Sequence, residues 1–191
     1  MNHLIKKHVL EHRSVIDSMD QLYDSIEKVA VVLINCLKNE GTIFWCGNGG
    51  SAADSQHLAG ELVGRFCGDR RPLKSISLNA DTAVMTCIVN DYGYEHIFSR
   101  QIEGIGMEGD VLIGISTSGN SININKALIM ANQKKIETIA LLGKGGGGAL
   151  ELARYNLVVP SNSTARVQEM HILIGHILCD LIEEGLDIKI S

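Results

Sequence analysis

The segment from Gly109 to Ser121 constrains this chain more than any other. An apolar run, Val111-Leu112-Ile113-Gly114-Ile115, stops abruptly in Ser116-Thr117-Ser118-Gly119-Asn120-Ser121, and Ile124, Leu128 and Ile129 then begin a helical spacing. A short uninterrupted apolar run bounded by turn residues reads as a strand buried on both faces, and such strands belong to parallel sheets covered by helices. The turn between that strand's carboxyl end and the helix gathers unpaired backbone N–H groups, hydroxyls and the positive end of the helix dipole in one concavity. Those are the requirements for holding a phosphate. The Gly-Lys-Ser/Thr ending of the Walker loop is absent. Serine and glycine are also ordinary turn and cap residues, so the turn by itself leaves a plainer reading open.

The rest of the chain alternates in the same way. Residues 2–39 read as one long helix, with Ile16, Met19, Leu22, Ile26, Val29, Leu33 and Leu37 on an apolar stripe. A helix of that length at the edge of a small domain suits packing against a second subunit. Strands are expected at 42–46, 75–78, 111–115, 137–142 and 156–159, and helices at 52–66, 81–90, 94–104, 120–133, near 149–153 and at 163–184. Strands alternating with helices imply a three-layer α/β sandwich, a five-stranded parallel sheet with helices on both faces. Ligands bind such sheets beyond the carboxyl ends of the strands. With 191 residues, 4% aromatics and two prolines, the chain fits one α/β domain over 1–191 better than an all-β fold.

Several function classes are excluded by composition. A formal net charge of −5 with scattered lysines and arginines offers no basic stripe for nucleic acid. No apolar run approaches the ~20 residues of a membrane span, and the amino terminus carries histidines and lysines rather than a signal core, so a cytoplasmic protein is expected. Five widely separated cysteines, Cys36, Cys46, Cys67, Cys87 and Cys179, form no Cys-x-x-Cys pair and are expected to be buried free thiols.

Three further constellations carry candidate chemistry. Cys46-Gly47-Asn48-Gly49-Gly50-Ser51 is a second strand-to-helix turn whose glycines permit close backbone approach and whose Ser51 can cap the next helix. The third glycine that a dinucleotide fingerprint needs after Gly47-x-Gly49 is absent, so no nucleotide cofactor is expected. His57 and Glu61, four apart, share a helix face and suit a divalent metal or acid–base work, against the plain alternative of a solvated face. Gln168 and His176, eight apart, can face one cleft, although His176 within Ile172–Leu178 also fits a core histidine, and Gly175 beside it lets something approach closely. Asn90-Asp91-Tyr92-Gly93 is a polar turn able to meet sugar hydroxyls, and Arg65 and Arg100 are candidate anion contacts.

Taken together, Cys46–Ser51, His57-x-x-x-Glu61-Leu62-x-Gly64-Arg65, Asn90-Asp91-x-Gly93, Gly114–Ser121 and Gln168-Glu169-x-His171 followed by His176 resemble the phosphoheptose isomerases of the sugar-isomerase (SIS) domain superfamily. The resemblance runs in order across nearly the whole chain, the long amino-terminal helix included. It implies the SIS fold, a homotetramer in which the amino-terminal segment 2–39 packs between subunits, and conversion of sedoheptulose 7-phosphate into D-glycero-D-manno-heptose 7-phosphate. That reaction is the first step toward nucleotide-activated heptose for lipopolysaccharide and related glycans. It implies that Ser116, Thr117, Ser118 and Ser121 hold the phosphate while Asn48, Gly49, Gly50, Asn90 and Asp91 line the sugar, with Glu61 and Gln168 also touching it. Glu61 and His176 would be the proton-transfer groups, and His57, Glu61, Gln168 and His176 a zinc site. The superfamily also holds a non-enzymatic tetramer that binds the bacterial replication initiator DnaA, and Ser163 to His171 resembles it. That homologue lacks a carboxylate at the position of Glu61 and an imidazole at that of His176, and this chain has both. An isomerase of another sugar phosphate is the second alternative.

Overall fold

The five apolar runs become five parallel strands of one sheet, in the order β2-β1-β3-β4-β5, in a computed structural model that describes residues 1–187. The strands are β1 (Ile43–Gly47), β2 (Ser75–Ser77), β3 (Val111–Ser116), β4 (Glu137–Leu142) and β5 (Tyr155–Val158). The helices among the described residues are α1 (Asn2–Ile16), α2 (Tyr23–Lys38), α3 (Gly50–Val63), α4 (Thr82–Tyr92), α5 (Ser99–Ile105), α6 (Ile122–Gln133) and α7 (Thr164–Leu186), with short 3-10 turns at Met19–Leu22, Tyr94–His96 and Gly147–Glu151. The α/β three-layer expectation holds.

The layers follow from side-chain alternation along the strands. Ile43 and Trp45 of β1 and Val111, Ile113 and Ile115 of β3 join a core with Leu33 of α2, Leu58 and Leu62 of α3, and Ile174 and Leu178 of α7. Phe44, Cys46 and Leu112 point the other way, into a core with Ile102 of α5 and Ile124 and Leu128 of α6. β1 pairs with β2 on one side and β3 on the other, so the strand order reverses at β1 and the turns leaving β1 and β3 open into one crevice.

The amino-terminal segment departs from the expected single helix. Ser18 turns its hydroxyl onto the carbonyls of Val15 (2.8 Å) and Ser14 (3.4 Å), the chain tightens through Met19–Leu22, and a new helix starts at Tyr23. Serine and aspartate compete with the helical backbone in this way. The apolar stripe is real only in its second part: α2 buries Ile26, Val29, Leu33 and Leu37, whereas α1 buries no residue and Ile16 is 39% exposed. The helix expected at 94–104 likewise divides into a 3-10 turn and α5. The cysteine expectation is corrected too. Cys36, Cys46 and Cys179 are buried, but Cys67 lies exposed beyond α3, and Cys87 faces outward on α4, a helix that buries only Ile88. No helix of the described residues is long and apolar enough to cross a membrane.

Candidate active site

At the β3 turn the hydroxyls are partly spent on the turn itself. Ser116 Oγ accepts from the Gly119 amide at 3.1 Å and lies 3.2 Å from Ser121 Oγ, while Ser118 Oγ accepts from Asn120 N at 3.2 Å. The first-turn amides of α6 at Ile122 and Asn123 have no intrahelical acceptor and add donors at the same place. A neighbouring loop braces the turn. Gly148 N donates to Asn120 Oδ1 and Ala149 N to Gly119 O, each at 2.9 Å. A Cβ on Gly119, whose φ is +66°, would lie 1.8 Å from the Gly146 carbonyl oxygen. Glycine is required there by contact as well as by conformation.

The β1 turn lies beside it. Asn48 and Asn123 exchange amide hydrogen bonds of 2.9 and 2.8 Å, tying the two turns together, and the Tyr94 hydroxyl donates to Asn48 Oδ1 at 2.7 Å. Asn79 shapes the strand end by receiving the Gly47 amide (3.1 Å) and donating to its carbonyl (3.0 Å). Gly49, with φ +57°, precedes α3, which begins at Gly50, so Ser51 is buried inside the helix instead of capping it. A Cβ on Gly50 would meet Gln168 Nε2 at 2.3 Å, so glycine here is what lets the first turns of α7 approach α3.

Further along those two helices three side chains of the types that can ligate a metal converge. His57 Nε2 lies 3.2 Å from Glu61 Oε1 and 3.0 Å from His176 Nε2. Donor atoms of all three residues lie within 4.8 Å of one another. The helical spacing that pairs His57 with Glu61 is local, but His176 arrives from α7. Gly175 brings it in: a Cβ there would lie 2.5 Å from both methyls of Leu58, so glycine lets α7 settle against α3. These separations fit a tetrahedral zinc, whose bonds of about 2.0–2.1 Å put donors about 3.3 Å apart, and three protein ligands leave a position open as in catalytic sites. His176 is half-buried, stacked on Phe66 with ring centroids 5.3 Å apart; the core histidine of α7 is His171. Burial, and then the charge of Glu61, push the thiol of Cys179 up to about 12, so it stays an uncharged part of the core.

Other expected residues are placed differently. Gln168 turns its Nε2 toward the Asp54 carboxylate, at 3.3 and 3.4 Å, which leaves Oε1 as the one atom of its amide able to ligate a metal. Asn90 and Asp91 are exposed at the end of α4 and bond each other at 2.7 Å rather than either turn. Arg65 is exposed, and Arg100 covers the Tyr92 ring at 3.7 Å. Sequence reasoning misses Asp54, Tyr94, Asn123 and Phe66. Asp54 is findable, since 54, 57 and 61 follow one helix stripe. Burial raises its carboxyl, against the pull of Gln168 and His57. Tyr94 and Asn123 meet Asn48 only through the tertiary fold.

The SIS domain family matches residues 9–143. The chain is 51% identical over 182 residues to the phosphoheptose isomerase of a Nitratiruptor species, covering 95% of this chain and 97% of that one. It is 49% identical over 184 residues to the phosphoheptose isomerase of Helicobacter pylori (strain ATCC 700392 / 26695), covering 96% of each. Among solved structures it is similar to phosphoheptose isomerase GmhA from Neisseria gonorrhoeae, with a TM-score of 0.91 and 40% identity over 96% of this chain and 98% of that one.

Proposed function

Because the chain belongs to the SIS domain family, we propose that its site carries out the reaction of its phosphoheptose isomerase relatives, turning sedoheptulose 7-phosphate into D-glycero-D-manno-heptose 7-phosphate. The observation that carries this reading is the convergence of Glu61 and His176 from two helices onto one point. Interconverting ketose and aldose moves a proton from C1 to C2 and another from O1 to O2 through an enediolate. A carboxylate and an imidazole supply two groups of different basicity for those transfers. Ser116, Thr117, Ser118 and Ser121, with the amides of α6, hold the phosphate and so orient the chain of carbons from its unreactive end. Asn48, Gly49 and Gly50 line the sugar, together with Gln168 and, from the exposed end of α4, Asn90 and Asp91.

His57, Glu61 and His176 are the proposed zinc ligands, with Gln168 joining through Oε1 while its Nε2 stays with Asp54. When bound, zinc polarises the substrate carbonyl and steadies the developing oxyanion. A cytoplasmic homotetramer is proposed for the assembly, one SIS domain per chain over 1–191 (its last four residues outside the described ones), with the apolar surface of α1 and α2 between copies. Its product enters activated-heptose synthesis for lipopolysaccharide or related glycans.

Purified protein mixed with sedoheptulose 7-phosphate is expected to form the aldose, and Glu61→Gln and His176→Gln each to cut turnover on the order of 10²-fold or more. Unchanged turnover in both variants would refute the assignment. Elemental analysis is expected to find zinc in the wild type and less in His57→Ala; equal content in the two would remove His57 from the ligand set.

A further inference from the structure

Beyond α3 the chain turns through residues 64–70 around a buried ion pair that neither turn nor the His–Glu cluster explains. Arg70 and Glu183 have fully buried side chains, with Arg70 Nε donating to Glu183 Oε1 at 2.7 Å. Glu183 also accepts the backbone amides of Phe66 (2.9 Å), Cys67 (3.1 Å) and Gly68 (3.2 Å). Arg70 spends its remaining nitrogens on the carbonyls of Glu61 (2.7 Å), Leu62 (2.9 Å), Gly64 (3.3 Å) and Arg71 (3.1 Å). A guanidinium on the last carbonyls of α3 satisfies groups the helix leaves open and sits at its negative end. The pair therefore holds the Glu61 end of α3 and, through the Phe66 amide, seats the Phe66 ring. That ring lies 22° from parallel with the His176 imidazole at 5.3 Å, while His57 meets the imidazole edge-on at 5.2 Å and 64°. His176 is half-exposed, held on one side by the Phe66 ring and on the other by His57, whose Nε2 lies 3.0 Å from its own.

We propose that Phe66, seated by the Arg70–Glu183 pair, is a positioning residue that keeps the His176 imidazole aimed at the reacting carbons. This rests on His176 being a proton-transfer group. A displacement of the order of 1 Å in such a group costs turnover much more than binding. Phe66 stacks on His176 and packs against the core formed with α2, α3 and α7, so its loss is expected to act on turnover and not on phosphate binding.

The test uses the full chain, with kcat and KM for sedoheptulose 7-phosphate measured in Phe66→Leu and Phe66→Tyr, and the His176 ring resonance followed by NMR in histidine-labelled protein. Phe66→Leu is expected to lower kcat about tenfold, with KM within about twofold and the His176 resonance shifted by loss of the ring current. Phe66→Tyr, which keeps the ring, is expected to restore both. An unchanged kcat in Phe66→Leu overturns the proposal, as does a loss of kcat with the His176 resonance unmoved. Full turnover in His176→Gln would instead remove the reading beneath it, so the two failures are distinct.

Discussion

Two histidines of α7 show what a residue's type settles and what it does not. His171 and His176 sit five positions apart, about 140° around the helix, so one faces the sheet when the other faces α3. His171 is fully buried, bonded through Nε2 to the Leu142 carbonyl at 3.0 Å, with Nδ1 lacking a partner. Burial holds it neutral, down at about 4. An unfolded histidine takes its proton near 6.5, so the unfolded chain binds the extra proton first as pH falls. The resulting stability is complete above about pH 6.5 and is lost as pH drops toward 4, by about 3 kcal/mol in all. Urea midpoints across that window are expected to fall in the wild type and to fall less in His171→Gln; parallel curves would exclude His171 as the source. The sequence left His176 open between core and catalytic roles because an apolar neighbourhood in the chain is shared by every residue of a helix, whereas the face it presents depends on what packs there.

At the level of elements, the site is a question of how closely α3 and α7 approach. The pairing of His57 with Glu61 was legible because helical geometry alone makes it. That Gly175 admits a close neighbour was legible too; that the neighbour is Leu58 was not, since the two are 117 positions apart in the chain. Gly175→Ala puts a Cβ 2.5 Å from both methyls of the fully buried Leu58, so the two helices or the Leu58 side chain must shift. Such overpacking costs about 1–3 kcal/mol. It moves His176 away from Glu61 while leaving the phosphate turn alone, so kcat is expected to drop at least tenfold with KM little changed. A thermal shift without loss of kcat would show that the helices adjust elsewhere. The break at Ser18 is invisible to the pattern because periodicity passes smoothly across it; only the tertiary structure, which buries the stripe of α2 and leaves α1 exposed, reveals two helices.

For the whole molecule, α1 is the element that one chain leaves unfinished. Leu4, Ile5, Val9 and Leu10 are each at least half exposed, on a helix with no buried residue. Its attachment to α7 is polar, through His12 to Glu169 at 2.7 Å and Arg166 to the His8 carbonyl at 3.0 Å. If this surface is covered by other copies, Val9→Asp with Leu10→Asp is expected to lower the sedimenting mass while leaving the far-ultraviolet dichroism unchanged. An unaltered mass would place the interface elsewhere.

The sequence by itself determined the parallel sheet, both glycine-bearing turns and the His57–Glu61 face, since each rests on contacts between residues a few positions apart and on strand or helix periodicity. Only the tertiary structure decided that Asn48 and Asn123 tie the turns together, that Gln168 turns to Asp54, and that His176 meets Glu61 beside Phe66. Those contacts join segments more than seventy residues apart, and their geometry follows from how layers pack, which no local pattern encodes. The hydroxyl-rich turn after β3 was legible as a candidate phosphate cradle; the approach of α7 to α3 brought together the candidate groups for the chemistry.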